Sequence, residues 1–187
     1  MRYIIGFLIG LGLIILLFVA IFRGGDDAPA PAPGGVSRLV DYANTTTVVR
    51  YTEDYPVNAN QMHRRTVTTV GRDEITFTVQ SGYEGDVLRT QSYPNNPTAY
   101  ANFLRALHIA GYTTVENEPN LQDERGYCAN GRRYIFETRD GERNIQRSWS
   151  TSCGNIGNFK GRTTEVRNLF QRQVPDYNRL TTGVQLY

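Results

Sequence analysis

The sequence predicts an α+β fold: an antiparallel sheet with two packed helices in hairpin–helix, hairpin–helix order, preceded by a single N-terminal transmembrane helix. Three observations lead to this prediction. An uncharged and mostly apolar run covers residues 3–22. Several later segments rich in Thr, Val and Tyr alternate apolar with polar residues, which is typical of half-buried strands. Two segments, near residues 97–110 and 164–173, carry apolar residues at helical spacing.

The apolar run predicts an uncleaved signal anchor over residues 1–23. As a helix it would span about 30 Å, the thickness of the hydrocarbon core of a bilayer. A cleaved signal peptide is the alternative, but its apolar region is shorter and ends at a small-residue cleavage site that Val19, Ala20 and Ile21 do not provide. Arg2 precedes the run, and the acidic residues that follow Arg23 leave a small positive-inside bias. We therefore expect a single-pass protein of the cell membrane with its C-terminal part extracytoplasmic.

Glycines in the anchor leave the oligomeric state open. Gly6 and Gly10 have the spacing that lets two membrane helices approach closely, although glycine is also common in membrane helices in general. Residues 24–35 are rich in Pro, Ala and Gly, which predicts an extended linker. Residues 36–187 then have the length of one extracytoplasmic α+β domain.

Charge composition narrows the class of partner. The chain has 20 basic and 18 acidic residues, a formal net charge of +2, which argues against a dedicated nucleic-acid binder. Lys160 is its only lysine, so nearly all positive charge is arginine. Arginine and tyrosine are both favoured at protein interfaces. A general compositional preference for arginine explains the same bias.

The first half of the domain predicts four strands, at residues 45–51, 64–70, 75–79 and 87–93. Alternation is clearest where Ile75, Phe77 and Val79 are separated by threonines. The segment 71–73 predicts a hairpin turn between the second and third strands.

Two helices are predicted in the rest of the domain. The first begins with Asn96 as N-cap and Pro97 at its first position, and ends at Gly111. Its apolar stripe consists of Tyr100, Phe103, Leu104 and Leu107. A short strand at 112–115 and a polar loop at 116–126 follow. The second helix covers residues 164–173 and stops at Pro175, and residues 184–186 predict a short edge strand.

A hairpin is predicted between strands at 134–138 and 144–149, with Asp140 and Gly141 in a two-residue turn. This register places Cys128 opposite Cys153 as a non-hydrogen-bonded pair. Such pairs have Cα atoms about 4.5 Å apart, which a disulfide can bridge. The sequence therefore predicts a disulfide that contributes roughly 3 kcal/mol by the chain-entropy model.

The same register predicts which hairpin side chains face the core. It places Arg132 opposite Trp149, and it turns four apolar side chains to one face: Tyr134, Phe136, Ile145 and Trp149. The opposite face carries Glu137 and polar residues. A slip of one residue would exchange the two faces.

The sequence contains no recognisable catalytic, metal or cofactor motif. The alternative role for Cys128 or Cys153 is a catalytic thiol, but neither His63 nor His108 is tied to a cysteine by a local motif. Two cysteines that pair with each other and two separated histidines do not make a zinc site.

Arginine is concentrated in the hairpin, and we take this region as the candidate partner surface. Its residues are Arg132, Arg133, Arg139, Arg143, Arg147 and Trp149. They could bind an acidic polymer or a carboxylate-rich protein, or they could simply pair across the strands with Glu137 and Glu142.

Several segments resemble a known group of proteins. They are residues 124–128 (Glu-Arg-Gly-Tyr-Cys), 133–137 (Arg-Tyr-Ile-Phe-Glu), 147–154 (Arg-Ser-Trp-Ser-Thr-Ser-Cys-Gly) and 169–177. Together with the anchor they resemble single-pass membrane proteins of Saccharibacteria-like candidate-phyla bacteria, over most of the chain. This resemblance implies a membrane location and brings no activity with it. The order of strands and helices is also similar to that of emfourin-type protease inhibitors.

The functional expectation is a non-enzymatic binding module at the cell envelope, with an unknown envelope protein or polymer as partner. Two alternatives remain from the sequence. One is inhibition of an envelope protease. The other is weak glycan hydrolysis by the carboxylates Glu137 and Glu142, since paired carboxylates can hydrolyse glycosides.

Overall fold

A computed structural model describes residues 38–184 of the chain. It confirms the α+β class, with one six-stranded antiparallel sheet whose spatial order is β4-β3-β2-β1-β5-β6. The strands are β1 (Val48–Asp54), β2 (Arg64–Val70), β3 (Glu74–Ser81), β4 (Asp86–Pro94), β5 (Arg133–Asp140) and β6 (Arg143–Thr151). The helices are α1 (Pro97–Ile109), α2 (Thr163–Arg172) and α3 (Tyr177–Thr181), with 3-10 helices at Leu39–Asn44 and Pro119–Leu121.

The predicted anchor (1–23), the linker (24–35) and the glycines Gly6 and Gly10 lie outside the described residues. Within residues 38–184, no helix has the length and apolar character needed to span a membrane. The predicted edge strand at 184–186 also lies mostly outside this range, and Val184 itself is not in a strand.

The element order differs in detail from the predicted one. Four strands precede α1, and one hairpin and two helices follow it, so the fold is not a hairpin–helix unit occurring twice. β1 begins at Val48 rather than at Thr45 because a 3-10 helix and a turn occupy the preceding residues. Residues 112–115 form a turn with a single bridge between Val115 and Phe159 instead of a strand.

One face of the sheet, which we call the covered face, packs against the helices. Tyr51 and Phe136 stack there with ring centroids 5.5 Å apart. Phe170 of α2 lies 5.5 Å from Tyr51 and meets Phe103 of α1 edge-on at 5.2 Å. This aromatic cluster forms the main core. Each such ring pair adds about 0.5–1.5 kcal/mol to stability beyond the contribution of its buried area.

The helix α1 forms as the sequence predicts. The side chain of Asn96 accepts a hydrogen bond from the backbone N–H of Ala99 at 2.9 Å, and Pro97 occupies the first turn. Gly111 follows the helix with φ +79°, a conformation that favours glycine. The four predicted stripe residues are all buried against the sheet: Tyr100, Phe103, Leu104 and Leu107.

The opposite face of the sheet, the uncovered face, has no helix packed on it within residues 38–184. Its side chains are mainly Thr and Arg, with pairs such as Thr78 and Thr90, whose hydroxyl oxygens lie 2.8 Å apart. The segment 116–131 covers only its β5–β6 end, where Trp149 donates from its indole Nε1 to the Leu121 carbonyl at 2.8 Å.

The hairpin register differs from the predicted one. Asp140 pairs with Arg143, so Gly141 and Glu142 form the turn, and the register shifts by one residue between Thr138 and Arg139. This bulge changes which side chains share a face.

Beyond the bulge Ile135 faces Trp149 across the hairpin, so both lie on the uncovered face and Trp149 is not a core-face residue. Tyr134 and Phe136 are buried on the covered face as predicted, whereas Ile145 is largely exposed.

The disulfide between Cys128 and Cys153 is confirmed, with a Cα–Cα distance of 5.7 Å. Its geometric basis is different, because Cys128 lies before the first residue of β5 and therefore has no ladder partner. The disulfide instead joins two turns, and a Cβ built on Gly131 would overlap the Cys128 sulfur and the Ser152 hydroxyl. Glycine at position 131 is what lets the two turns meet.

The β6 edge of the sheet is closed by the chain itself. Trp149 donates its backbone N–H to the Asn158 side chain at 2.8 Å, and its carbonyl accepts from the Phe159 N–H at 3.0 Å. Gly157 makes this approach possible, since its φ is +148° and a Cβ there would overlap the Trp149 carbonyl oxygen.

Candidate functional site

Three arginines surround one carboxylate on the uncovered face, and we call this group the arginine site. Arg50 Nε lies 3.7 Å from Glu137 Oε2, and Arg147 Nε lies 3.8 Å from Glu137 Oε1. Arg139 is the third arginine, two residues from Glu137 on the same face of β5. Arg139 also pairs with Glu142, and Arg147 with Glu124. Within the described residues, Arg50 has Glu137 as its one ion-pair partner.

The strand register builds the arginine site. Arg50 of β1 lies directly opposite Glu137 of β5, and Glu137 lies opposite Arg147 of β6. Side chains at opposed positions of antiparallel strands have Cβ atoms about 4.5–5.5 Å apart, which is close enough for long side chains to interact. The row Arg50–Glu137–Arg147 thus follows from pairing alone, and it brings together strands that are distant in sequence.

Arg50 is the least satisfied member of the site. Burial lowers the pKa of its guanidinium, Glu137 opposes that effect, and the positive charges of Arg139 and Arg65 lower the pKa further. The Nε atoms of Arg50 and Arg139 are buried and have no hydrogen-bond partner within residues 38–184. The side chain of Arg50 is still 28% exposed, so an anion from solvent can reach it.

Arg147 also holds the segment that covers Trp149. Its NH2 group donates to both carboxylate oxygens of Glu124, at 2.6 and 2.7 Å. In the same segment, hydrogen bonds from the Arg125 side chain and backbone lower the pKa of Asp123 to about 2. Acidic residues of the 116–131 segment thus fix it over the β5–β6 end.

Trp149 does not belong to a partner surface. Its side chain is fully buried, and Tyr127 packs on it with ring centroids 5.1 Å apart. Arg132 does not stack on Trp149 either; its guanidinium lies over the ring of Tyr55, 4.9 Å from the centroid. The assignment of Trp149 to an exposed arginine–aromatic surface is therefore wrong.

The remaining arginines of the predicted surface lie apart from the arginine site. Arg132 contacts Glu53 on the covered face at 3.0 Å. Arg133 is buried, with its NH2 group 2.7 Å from Asp54 on the uncovered face. Arg143 is at the hairpin tip, 3.4 Å from Asp140. Of the six predicted residues, only Arg139 and Arg147 come together in the arginine site.

Two buried carboxylates at the end of β1 were not predicted. Glu53 lies on the covered face, where it accepts a hydrogen bond from the Tyr51 hydroxyl at 3.0 Å and pairs with Arg132 and Arg167 at 3.0 and 3.2 Å. Burial and the charge of Glu53 raise the pKa of Tyr51 well above its usual value, so Tyr51 stays a hydrogen-bond donor.

Asp54 lies on the uncovered face and pairs with Arg133, with Arg65 at 3.3 Å, and with His63 Nε2 at 2.9 Å. His63 is fully buried and stacks on Tyr83 with ring centroids 4.2 Å apart, so it is not the surface residue that its sequence position suggests. The available sequence signal was the pair of adjacent acids at the end of a Val- and Tyr-rich segment.

The carboxylates considered for glycan hydrolysis are placed differently from each other. Glu137 is mostly buried between two arginines on the uncovered face. Glu142 is in the hairpin turn with its side chain fully exposed, 3.3 Å from Arg139. The two groups do not face each other across a cleft.

Comparison with known proteins adds no family. No protein-family model matches the chain, and no curated protein matches it. The resemblance to membrane proteins of candidate-phyla bacteria therefore stays a prediction.

Proposed function

We propose that this chain is a membrane-anchored, extracytoplasmic binding module of the cell envelope that holds a carboxylate-rich chain at the arginine site. The observation that carries the proposal is that Arg50 and Arg139, on a sheet face without α-helices, have buried Nε atoms with no hydrogen-bond partner within the described residues. In this view the protein acts by binding and tethering rather than by chemistry.

The geometry of arginine supports a carboxylate as the bound group. A guanidinium is planar and can donate two parallel hydrogen bonds to one carboxylate. Arg50 makes no side-chain hydrogen bond within the described residues, and Arg139 pairs only with the exposed Glu142. Binding at these two residues would therefore replace little that already stabilises the fold.

The location has separate support from the sequence and the disulfide. The apolar run at residues 3–22 has the length of a membrane span. Structural disulfides such as Cys128–Cys153 persist mainly in oxidising compartments. Thiol labelling of native membranes tests this part: the cysteines are expected to be blocked until a reductant is added, and freely labelled cysteines would contradict the location.

Binding is tested with the full chain in detergent micelles and fluorescent poly-L-glutamate as probe, by fluorescence anisotropy. At about 10 mM salt, where the Debye length is about 30 Å, we expect binding that weakens as salt is added. The double variant Arg50→Gln/Arg139→Gln should bind about tenfold more weakly, equivalent to about 1.4 kcal/mol.

The matched control is Arg105→Gln/Arg172→Gln, which removes the same charge from exposed positions on α1 and α2. It should bind within about twofold of the wild type if position rather than net charge decides. Equal losses in both double variants, or no binding by the wild type at low salt, would overturn the proposal. Tighter binding of inorganic polyphosphate than of poly-L-glutamate would overturn the carboxylate preference.

A further inference from the structure

The two edges of the sheet differ in how their backbone groups are hydrogen-bonded within residues 38–184. On the β6 edge, the backbone groups of Trp149 are satisfied by Asn158 and Phe159. On the β4 edge, no backbone hydrogen bond to the outer side of β4 occurs within residues 38–184. An unpaired strand edge is a template for another strand.

The first half of β4 is also unusually apolar for an exposed position. Val87 and Leu88 are 63% and 54% exposed. The register of β4 against β3 shifts between Val79 and Gln80, which leaves Leu88 as the extra residue of a bulge. Gly183 and Val184 lie beside Leu88, yet residues 38–184 leave both aliphatic side chains more than half exposed.

The charges around this pair are self-complementary. Asp86 and Arg89 flank Val87 and Leu88, and they pair with Ser81 and Val79 of β3, which places both on the covered face. If a second β4 lies antiparallel with its two-fold axis between Val87 and Leu88, then Asp86 of each copy faces Arg89 of the other. Opposite charges at opposed positions stabilise strand pairing.

We infer that two copies of this chain pair through the first half of β4, joining their sheets into one twelve-stranded antiparallel sheet. Symmetric two-fold dimers are the commonest oligomers, and their interface must be complementary to itself. Each copy contributes the same short sequence, so the two aliphatic pairs meet at the axis and two ion pairs close the contact on either side.

Three further features fit this arrangement. Pro94 ends β4 and has no N–H to donate, so pairing is confined to the other end of the strand. Arg89 already donates to the Arg179 and Leu180 carbonyls at 3.3 and 2.5 Å, which fixes its side chain on the covered face. Asp86 has no ion pair within the described residues.

The symmetry has a consequence for the arginine site. A two-fold axis perpendicular to the sheet keeps the uncovered faces of both copies on the same side. Two arginine sites would then contact one long anionic chain together, which raises apparent affinity through effective concentration. The dimer itself does not depend on the proposed function.

Sedimentation equilibrium of the full chain in density-matched detergent tests the inference. The wild type is expected to sediment as two copies, and Leu88→Lys and Asp86→Lys should each weaken association about tenfold. A 1:1 mixture of Asp86→Lys with Arg89→Glu should regain wild-type association, because only the mixed pair places the introduced lysine opposite the introduced glutamate. Each variant's thermal melt shows whether its fold is kept, and Leu88→Lys tests the edge without touching Arg89.

The control is Gly6→Leu/Gly10→Leu, which removes the small-residue spacing of the predicted anchor. It should leave the two-copy mass unchanged, and a monomer in this variant would assign association to the anchor instead. A monomeric wild type, as expected if residues 185–187 cover the edge of their own chain, would overturn the inference. A mixture that associates no better than its components would also overturn it. Binding of poly-L-glutamate by a single copy, and its loss in Arg50→Gln/Arg139→Gln, is expected with either result.

Discussion

The two faces of the sheet bury their residues in different ways. On the covered face, aromatic rings from the strands and helices pack together, as Tyr51, Phe136 and Phe170 do. On the uncovered face, Ile135 is buried between Thr52 and Trp149, which lie opposite it on the two neighbouring strands. Long charged side chains can cover apolar surface with their methylene groups while their charged ends stay in water.

The difference shows that a sheet face without α-helices can still bury and pair its side chains. The ion pair of Asp54 and Arg133 on this face is as buried as many core residues, and each side chain is 8% exposed. Its counterpart on the covered face, Glu53, pairs with arginines that are more exposed. The most deeply buried single charge is Glu53 on the covered face, with a side chain 1% exposed, whereas the uncovered face holds the ion pair in which both partners are buried.

The sharpest test of the comparison uses two neighbours in β5 that point to opposite faces. Phe136→Ala should lower the free energy of unfolding by about 3–5 kcal/mol, because it leaves a cavity between the sheet and two helices. Ile135→Ala should cost about 2 kcal/mol or less, since no α-helix within the described residues packs over it and neighbouring side chains of this face can move into the space. Urea unfolding followed by circular dichroism measures both, and equal costs would contradict the distinction between the faces.

The disulfide tests the part of the uncovered face that the 116–131 segment covers. Cys128→Ser/Cys153→Ser should lower the free energy of unfolding by roughly 3 kcal/mol, the chain-entropy value for a separation of 25 residues. Since the disulfide fixes one end of the 116–131 segment, the fluorescence of Trp149, the only tryptophan, should also shift to longer wavelength.

A reductant should produce the same fluorescence shift in the wild type and none in the double variant. If the variant keeps both its emission maximum and its melting temperature, the disulfide does not hold the cover in place.

The smallest expected loss of stability comes from replacing the two buried carboxylates, Asp54 and Glu53. Asp54→Asn should cost about 2–3 kcal/mol, because it leaves the buried Arg133 without a counter-charge. Glu53→Gln should cost about 1–2 kcal/mol, since Arg132 and Arg167 are 42% and 21% exposed and can turn to water, and the amide oxygen can still accept from the Tyr51 hydroxyl. Thermal melts of both variants show which substitution costs more stability. A larger cost for Glu53→Gln than for Asp54→Asn would contradict the expected difference between the two faces.

Much of the fold follows from local sequence. The bounds of β2, the turn after it and the cap and stripe of α1 were predicted because each depends on neighbouring residues. The helix α3 was not predicted, since its five residues carry one buried apolar side chain, Leu180, and form only because that residue packs against Phe77 and Val79.

The hairpin shows why register is harder to predict than strand position. The dipeptide Asp140-Gly141 indicated a turn in the right place, but its two central residues are Gly141 and Glu142, and a bulge follows. The displaced turn shifts the pairing by two residues, which keeps Trp149 on the predicted face, and the one-residue bulge then moves it to the other face. The cysteines were still paired correctly, because the turns around Gly131 bring them together independently of the ladder.

The arginine site was predicted only in part. Arg139 and Arg147 belong to the hairpin and were visible as a local concentration. Arg50 comes from β1, and its neighbourhood depends on the pairing of β1 with β5 across a long stretch of sequence. No local pattern reports that pairing, so a single sequence could not place Arg50 beside Glu137.

Gly157 limits how far such chains can assemble. With Gly157, the backbone of Trp149 at the β6 edge is already hydrogen-bonded, so no further copy can pair with the sheet at that point. A bulkier residue at 157 would displace Asn158 and Phe159 from Trp149 and expose a second unpaired strand edge. Pairs could then join end to end, and we expect that one substitution to convert a closed assembly into a growing fibre.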